Sequence, residues 1–249
     1  MAGMAFWSQR CELAAALRWA ARLGLQESVD NHFSLAVTDD GQQFPGDRFL
    51  VNPWGLHWSE ITASSLLLCN SAGLVLEGIG EVETSAFHIH SPIHEAVPDT
   101  PAVFHTHMPY ATALAVLQDG RLAMCQQNAA IFHDNIAYDD DYNGLALDRS
   151  EGERMAAQLG GASVLVLGGH GVISVAATVA DALGYLYYLE CAARVQVLAA
   201  STGQPLRVMP PDVLARTAEQ MKSGIGLSTA AYFEYARRTL TREEPEFLT

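Results

Sequence analysis

The run Pro101-Ala-Val-Phe-His-Thr-His-Met-Pro109 sets two histidines two residues apart in an apolar segment bounded by prolines. The pattern predicts a strand over residues 102–108. Side chains alternate between the faces of a strand, so His105 and His107 are expected to project to the same side. Two neutral imidazoles on one face suit adjacent positions around a divalent metal ion; the plainer reading is a half-buried strand with polar residues on one face. A third histidine, His170, lies between Gly169 and Gly171 in a connection between two apolar runs. The glycines permit close approach and unusual backbone angles, so the ring can be aimed away from the sheet. Together His105, His107 and His170 make a set of imidazoles that leaves coordination positions open, as a catalytic ion requires.

The remaining pattern is mixed α/β. Leu13, Ala16, Leu17 and Ala20 form a helical stripe in residues 8–23, which end at Gly24. Alternation over residues 31–37, a turn at Asp39-Asp40-Gly41 and an apolar run over 48–52 read as paired strands. Residues 59–63 read as an exposed turn into a strand over 64–70. Thr84 or Ser85 is placed to cap a helix running to about Val97. Helices are expected over residues 109–117, 151–159 and 178–200, strands over 163–167 and 172–175, and a loop at 139–144. No repeat or linker divides the chain. One domain over 1–249 with a helical tail from about residue 205 is the simplest organisation.

Composition removes several function classes. Hydrophobic residues make up 49% and charged residues 17%, which excludes a largely disordered chain. A formal charge of −14 without a basic cluster argues against a nucleic-acid surface. Lys222 is the only lysine, so Schiff-base chemistry would depend on this one residue. Cys11, Cys69, Cys125 and Cys191 are scattered, as in a reduced cytoplasmic protein, and no apolar run is long enough to span a bilayer. A G-x-S-x-G elbow is missing, and Gly78-Ile79-Gly80 lacks the rest of a dinucleotide loop.

The ordered succession of Asn31-His32-Phe33-Ser34, the stretch from Phe49 through Pro53-Trp54-Gly55 to Ser59-Glu60-Ile61-Thr62, His90-Ser-Pro-Ile-His94, His105-Thr-His107 and Gly169-His-Gly171 resembles the class II aldolase/adducin family, and its adducin-like branch in particular. The likeness covers roughly residues 8–200. It implies a three-layer α/β/α sandwich around a mainly antiparallel sheet, and a cyclic homotetramer with active sites between subunits. It implies a divalent ion, zinc first with manganese or iron as alternatives, on His105, His107 and His170. It also implies a lyase of the aldolase or decarboxylase type that acts on a small carbonyl or carboxylate compound through a metal-stabilised enolate. An adducin-like scaffold without catalysis, and epimerase or oxygen-dependent chemistry on the same fold, are the alternatives.

Two positions depart from the aldolase pattern. The glutamate that serves family aldolases as acid/base falls at Ala86, which leaves Glu83, Glu81 or His90 as substitutes; for His88, His90 and His94 the alternative is a packing or supporting role. The family phosphate cradle maps onto Asn31, Gly55, Thr84 and Ser85, but Trp54 stands where a threonine is expected, so the substrate is not expected to be a simple sugar phosphate. Tyr138, Tyr142, Tyr232 and Tyr235 are candidate proton donors by the same likeness.

Overall fold

The computed structural model describes residues 3–38 and 47–249. The turn expected at Asp39-Asp40-Gly41 lies outside the described residues.

The centre is an eight-stranded sheet of order β4-β3-β2-β1-β5-β8-β7-β6. Its strands are β1 (His32–Ala36), β2 (Arg48–Val51), β3 (Leu67–Asn70), β4 (Val75–Glu77), β5 (Ala102–Thr106), β6 (Ile136–Asp139), β7 (Val164–Leu167) and β8 (Gly171–Ala176). The neighbours run antiparallel except β6 and β7, which are parallel. Helices cover both faces. Phe33 and Leu35 of β1 and Phe104 of β5 point to the face packed by α1 (Trp7–Arg22), α3 (Pro109–Ala115), α5 (Val179–Ala200) and α6 (Pro211–Glu243). Val103 of β5 and Ile173 and Val175 of β8 point to the other face, against Ile89 and Ile93 of α2 (Thr84–Ala96) and Met155 and Leu159 of α4 (Arg149–Leu159). Because side chains alternate, that second face also receives His105, and from β1 it receives His32 and Ser34.

The predicted stripe of α1 is fully buried, and its chain reverses at Gly24 with φ +68°. Arg18, also on α1, donates to Ile61 O and pairs with Glu244 and Glu246, which ties the C-terminal end to the N-terminal helix. Cys11, Cys69, Cys125 and Cys191 are all unpaired.

Several local expectations need correction. Residues 59–63 are an exposed turn only in part: Ser59 and Glu60 face solvent, but two short 3-10 turns carry Ile61 and Ala63 fully inside, which delays β3 until Leu67. The cap of α2 is Glu83 rather than Thr84 or Ser85; its carboxylate accepts the Ala86 N–H at 2.8 Å and the Ser85 hydroxyl. Asp139 is not a loop residue but ends β6, buried and paired with Arg154 at 2.6 Å. The histidine strand stops at Thr106, so His107 sits just beyond it.

Candidate metal centre

β5 ends beside β8, and the connection from β7 to β8 carries His170 back over that end. Close approach is possible because residue 171 is glycine: a Cβ there would lie 2.7 Å from both Thr106 O and His107 Cδ2. Gly169 makes the turn with φ +68°. The ring of His170 is then 4.7 Å from that of His105 and 4.8 Å from that of His107, centroid to centroid. One ligand atom from each of these imidazoles lies within 4.8 Å of the others.

His105 and His107 are each oriented through the second nitrogen. His105 Nδ1 is 3.0 Å from Val172 O, so Nδ1 carries the proton and donates, which leaves the Nε2 lone pair free. His107 Nδ1 lies 2.5 Å from Glu27 Oε2. The two Nε2 atoms are 3.1 Å apart. Two nitrogens at about 2.0–2.1 Å from one tetrahedral ion would stand about 3.3 Å apart, so the donor set fits a divalent metal. Burial, and then the neighbouring His170, hold His105 well below the ordinary imidazole range. His170 is pushed down to about 4 by burial and then by His107. The His105 and His170 rings are therefore neutral near pH 7, which is the ligating form.

Behind His105 stands a second set of histidines. His32 is the cross-strand partner of His105, with ring centroids 4.8 Å apart. Its Nδ1 is 2.7 Å from His90 Nε2; His90 Nδ1 is 2.5 Å from Ser34 Oγ, which is 2.7 Å from His94 Nε2. His90, named above as a substitute acid/base, is thus fully buried and reaches the centre through His32.

Other predicted site residues are placed as follows. Asn31 joins the centre: its Oδ1 accepts the N–H of Glu27 at 2.7 Å and that of His107 at 3.4 Å. Tyr142 meets His170 edge-on, with ring centroids 6.3 Å apart. Tyr138 is engaged elsewhere, since its hydroxyl accepts the Leu122 N–H at 3.0 Å and Arg121 lies over its ring. Tyr232 accepts from Trp19 Nε1 at 3.0 Å, with Tyr235 packed on the same indole. Glu83 is occupied as the α2 cap, and Ser85 donates to it. Thr84 opens that helix, and Glu81 O accepts the Trp54 N–H at 2.8 Å. Trp54 is exposed, and Gly55 follows it with φ +87°. Two contributors were not foreseen. His32 was within reach, because His32 and Ser34 share a strand face as His90 and His94 share a helix face at i and i+4; Glu27 had no local signal.

Comparison with known proteins identifies the family. The family model described as Class II Aldolase and Adducin N-terminal domain matches residues 11–197. The chain belongs to that family. A Caulobacter vibrioides protein named for aldolase class 2 is 32% identical over 243 residues, covering 97% of this chain and 92% of that one. Decarboxylase NovR of Streptomyces niveus is 32% identical over 211 residues, 84% of this chain and 76% of its own. Among solved structures, an aldolase II superfamily protein from Pseudomonas syringae superposes with TM-score 0.88 at 35% identity, covering 98% and 96% of the two chains. The L-fuculose 1-phosphate aldolase of Glaciozyma antarctica gives 0.83 at 27% identity, covering 95% and 91%. Among the described residues no helix is long and apolar enough to cross a membrane.

Two measurable consequences arise here. Glu27→Gln removes the carboxylate that orients and polarises His107. Such supporting groups are worth about 10–100-fold in metal affinity, and the exposure of Glu27 puts the expected loss near tenfold. Competition with a chromophoric chelator measures it, and unchanged affinity would remove Glu27 from the centre. The second concerns acid. Burial pushes His94 down to about 3 when folded, against about 6.5 unfolded. Between those values the unfolded chain holds the extra proton, so stability falls with falling pH by up to about 1.4 kcal/mol per unit for this ring. His94→Gln should reduce the slope of urea-derived stability against pH between about pH 6 and pH 4 by that amount. An unaltered slope would contradict the neutral buried ring.

Proposed function

We propose that this protein is a divalent-metal-dependent lyase of the aldolase or decarboxylase type, acting on a small carbonyl or carboxylate compound. The single observation that carries the reading is the convergence of His105, His107 and His170, with the first two braced through their far nitrogens by Val172 O and Glu27. A scaffold has no need of imidazoles left open on one side.

Zinc fits the all-nitrogen donor set, with manganese and iron as alternatives. A bound ion supplies Lewis acidity towards negative charge that develops on a substrate oxygen as a carbon–carbon bond breaks. The protein's own part is to keep His105 and His170 neutral and to orient His105 and His107, with Asn31 accepting the N–H groups of Glu27 and His107 to fix the loop. The exposed Trp54 beside Gly55 offers an aromatic face rather than a hydroxyl, which favours a substrate other than a simple sugar phosphate. The names of NovR and the fuculose-phosphate aldolase support carbon–carbon cleavage in the family without choosing between its two forms. By the same likeness the whole chain acts as one domain with its C-terminal helix as a tail, assembles as a homotetramer with sites between subunits, and works on small molecules in the cytoplasm.

Metal content tests the reading. Elemental analysis of the wild type should find about one zinc, manganese or iron per chain, and a His105→Ala/His107→Ala variant should lose it. A metal-free wild type that also refuses added metal would favour the scaffold alternative. Iron that confers oxygen consumption would instead favour oxygen-dependent chemistry.

A further inference from the structure

We propose that Ser34, His90 and His94 are positioning residues that hold His32 as its Nε2–H tautomer beside the histidine triad. The place of His32 next to a metal rests on the reading above; the tautomer argument does not.

Hydrogen bookkeeping along the line fixes the direction. A neutral imidazole has one N–H and a serine hydroxyl one proton. All these residues are at most 2% exposed, and of the two nitrogens at the ends of the line His94 Nδ1 is a buried atom without a partner whereas His32 Nε2 is not. A proton on His94 Nδ1 would orphan a donor, so it resides on Nε2 and is donated to Ser34 Oγ, 2.7 Å away. The Ser34 proton then has two acceptors in reach, His90 Nδ1 at 2.5 Å and Val103 O at 3.3 Å. The shorter contact takes it. His90 must therefore carry its proton on Nε2 and donate to His32 Nδ1 at 2.7 Å, and His32 is left protonated on Nε2. The reverse arrangement, with His32 Nε2 bare, keeps the same charge but has to use the longest contact, to Val103 O.

This direction has a consequence at the centre. A protonated Nε2 is a hydrogen-bond donor and not a metal ligand, so His32, although its ring is 4.8 Å from that of His105, does not become a fourth ligand. It leaves a neutral N–H donor beside the triad, where Ala86 supplies no acid.

Long-range proton–nitrogen NMR on protein with 15N-labelled histidine tests the assignment, because the two tautomers have distinct ring-nitrogen patterns. The expected result is His32 wholly Nε2–H in the metal-free wild type and still so after zinc is added. Ser34→Ala should turn it into a mixture, and Ser34→Thr, which restores the hydroxyl, should return the single form. His32 found as Nδ1–H, switching to Nδ1–H with zinc, or unmoved by Ser34→Ala would overturn the proposal. A protein that takes up no zinc would sink the metal reading, while the metal-free spectra would still decide the tautomer.

Discussion

Phe104→Ala is expected to cost about 3–5 kcal/mol of folding stability, the range for removing a fully buried aromatic ring. Phe104 has no exposed surface and stacks on Phe33 with centroids 4.0 Å apart and planes 4° from parallel, and Phe33 in turn packs against Trp58. The lost ring would leave a cavity between the central strands and the helices of the α1 and α5 side. Those strands are rigidly paired, with Phe33 opposite Phe104 and His32 opposite His105, so the cavity cannot close without tilting the residues that carry the centre. Urea unfolding should show a lower midpoint with the same denaturant dependence, and weaker metal binding should accompany it. Phe104→Leu keeps most of the volume and should cost under about 1.5 kcal/mol. Equal losses in the two variants would mean that ring packing is not what holds this strand pair.

Arg10→Ala is the second large effect, and its cause is polar. Arg10 lies on α1 with no exposed surface. Its guanidinium donates to Ala5 O at 2.8 Å and Leu66 O at 2.6 Å and pairs with Glu77 at 2.8 Å. Burial lowers its pKa from the ordinary arginine value, with Glu77 opposing that shift. Truncation would strand the Leu66 carbonyl and open a void. Breaking a buried pair costs about 3–5 kcal/mol, but the Glu77 side chain is 33% exposed and can be rehydrated, so about 2–4 kcal/mol is expected. Arg10→Lys retains charge without the planar fork and should fall between. Urea denaturation of both variants measures the order, and a near-neutral alanine variant would contradict it.

The helix stripe of α1, the long helix α5, the strand character of residues 102–106 and the grouping of His105, His107 and His170 as candidates all follow from local pattern. Period 3.6 and period 2 are properties of short segments, so a reader of the chain can recover them. Boundaries were less legible where contacts from far away decide them. Ile61 and Ala63 lie in a polar-looking stretch, and only the fit of the 3-10 turns under α1 shows that both are inside. Glu83 displaced Thr84 and Ser85 as the α2 cap because its longer side chain reaches both Ala86 N–H and the Ser85 hydroxyl.

The sequence by itself determined which of these polar side chains share a face: His32 with Ser34 on one strand, and His90 with His94 one helical turn apart. It also carried enough ordered motif for the family and the fold class. Only the tertiary structure decided which faces meet. The antiparallel pairing of β1 with β5 puts His32 beside His105, α2 packs onto that same face, and a loop far away in the chain brings Glu27 to His107. The reason is physical. Periodicity states which side chains lie together on one element, whereas the choice of partner comes from burying apolar residues such as Ile89, Val103 and Ile173 against one another, and the polar groups beside them are carried into contact.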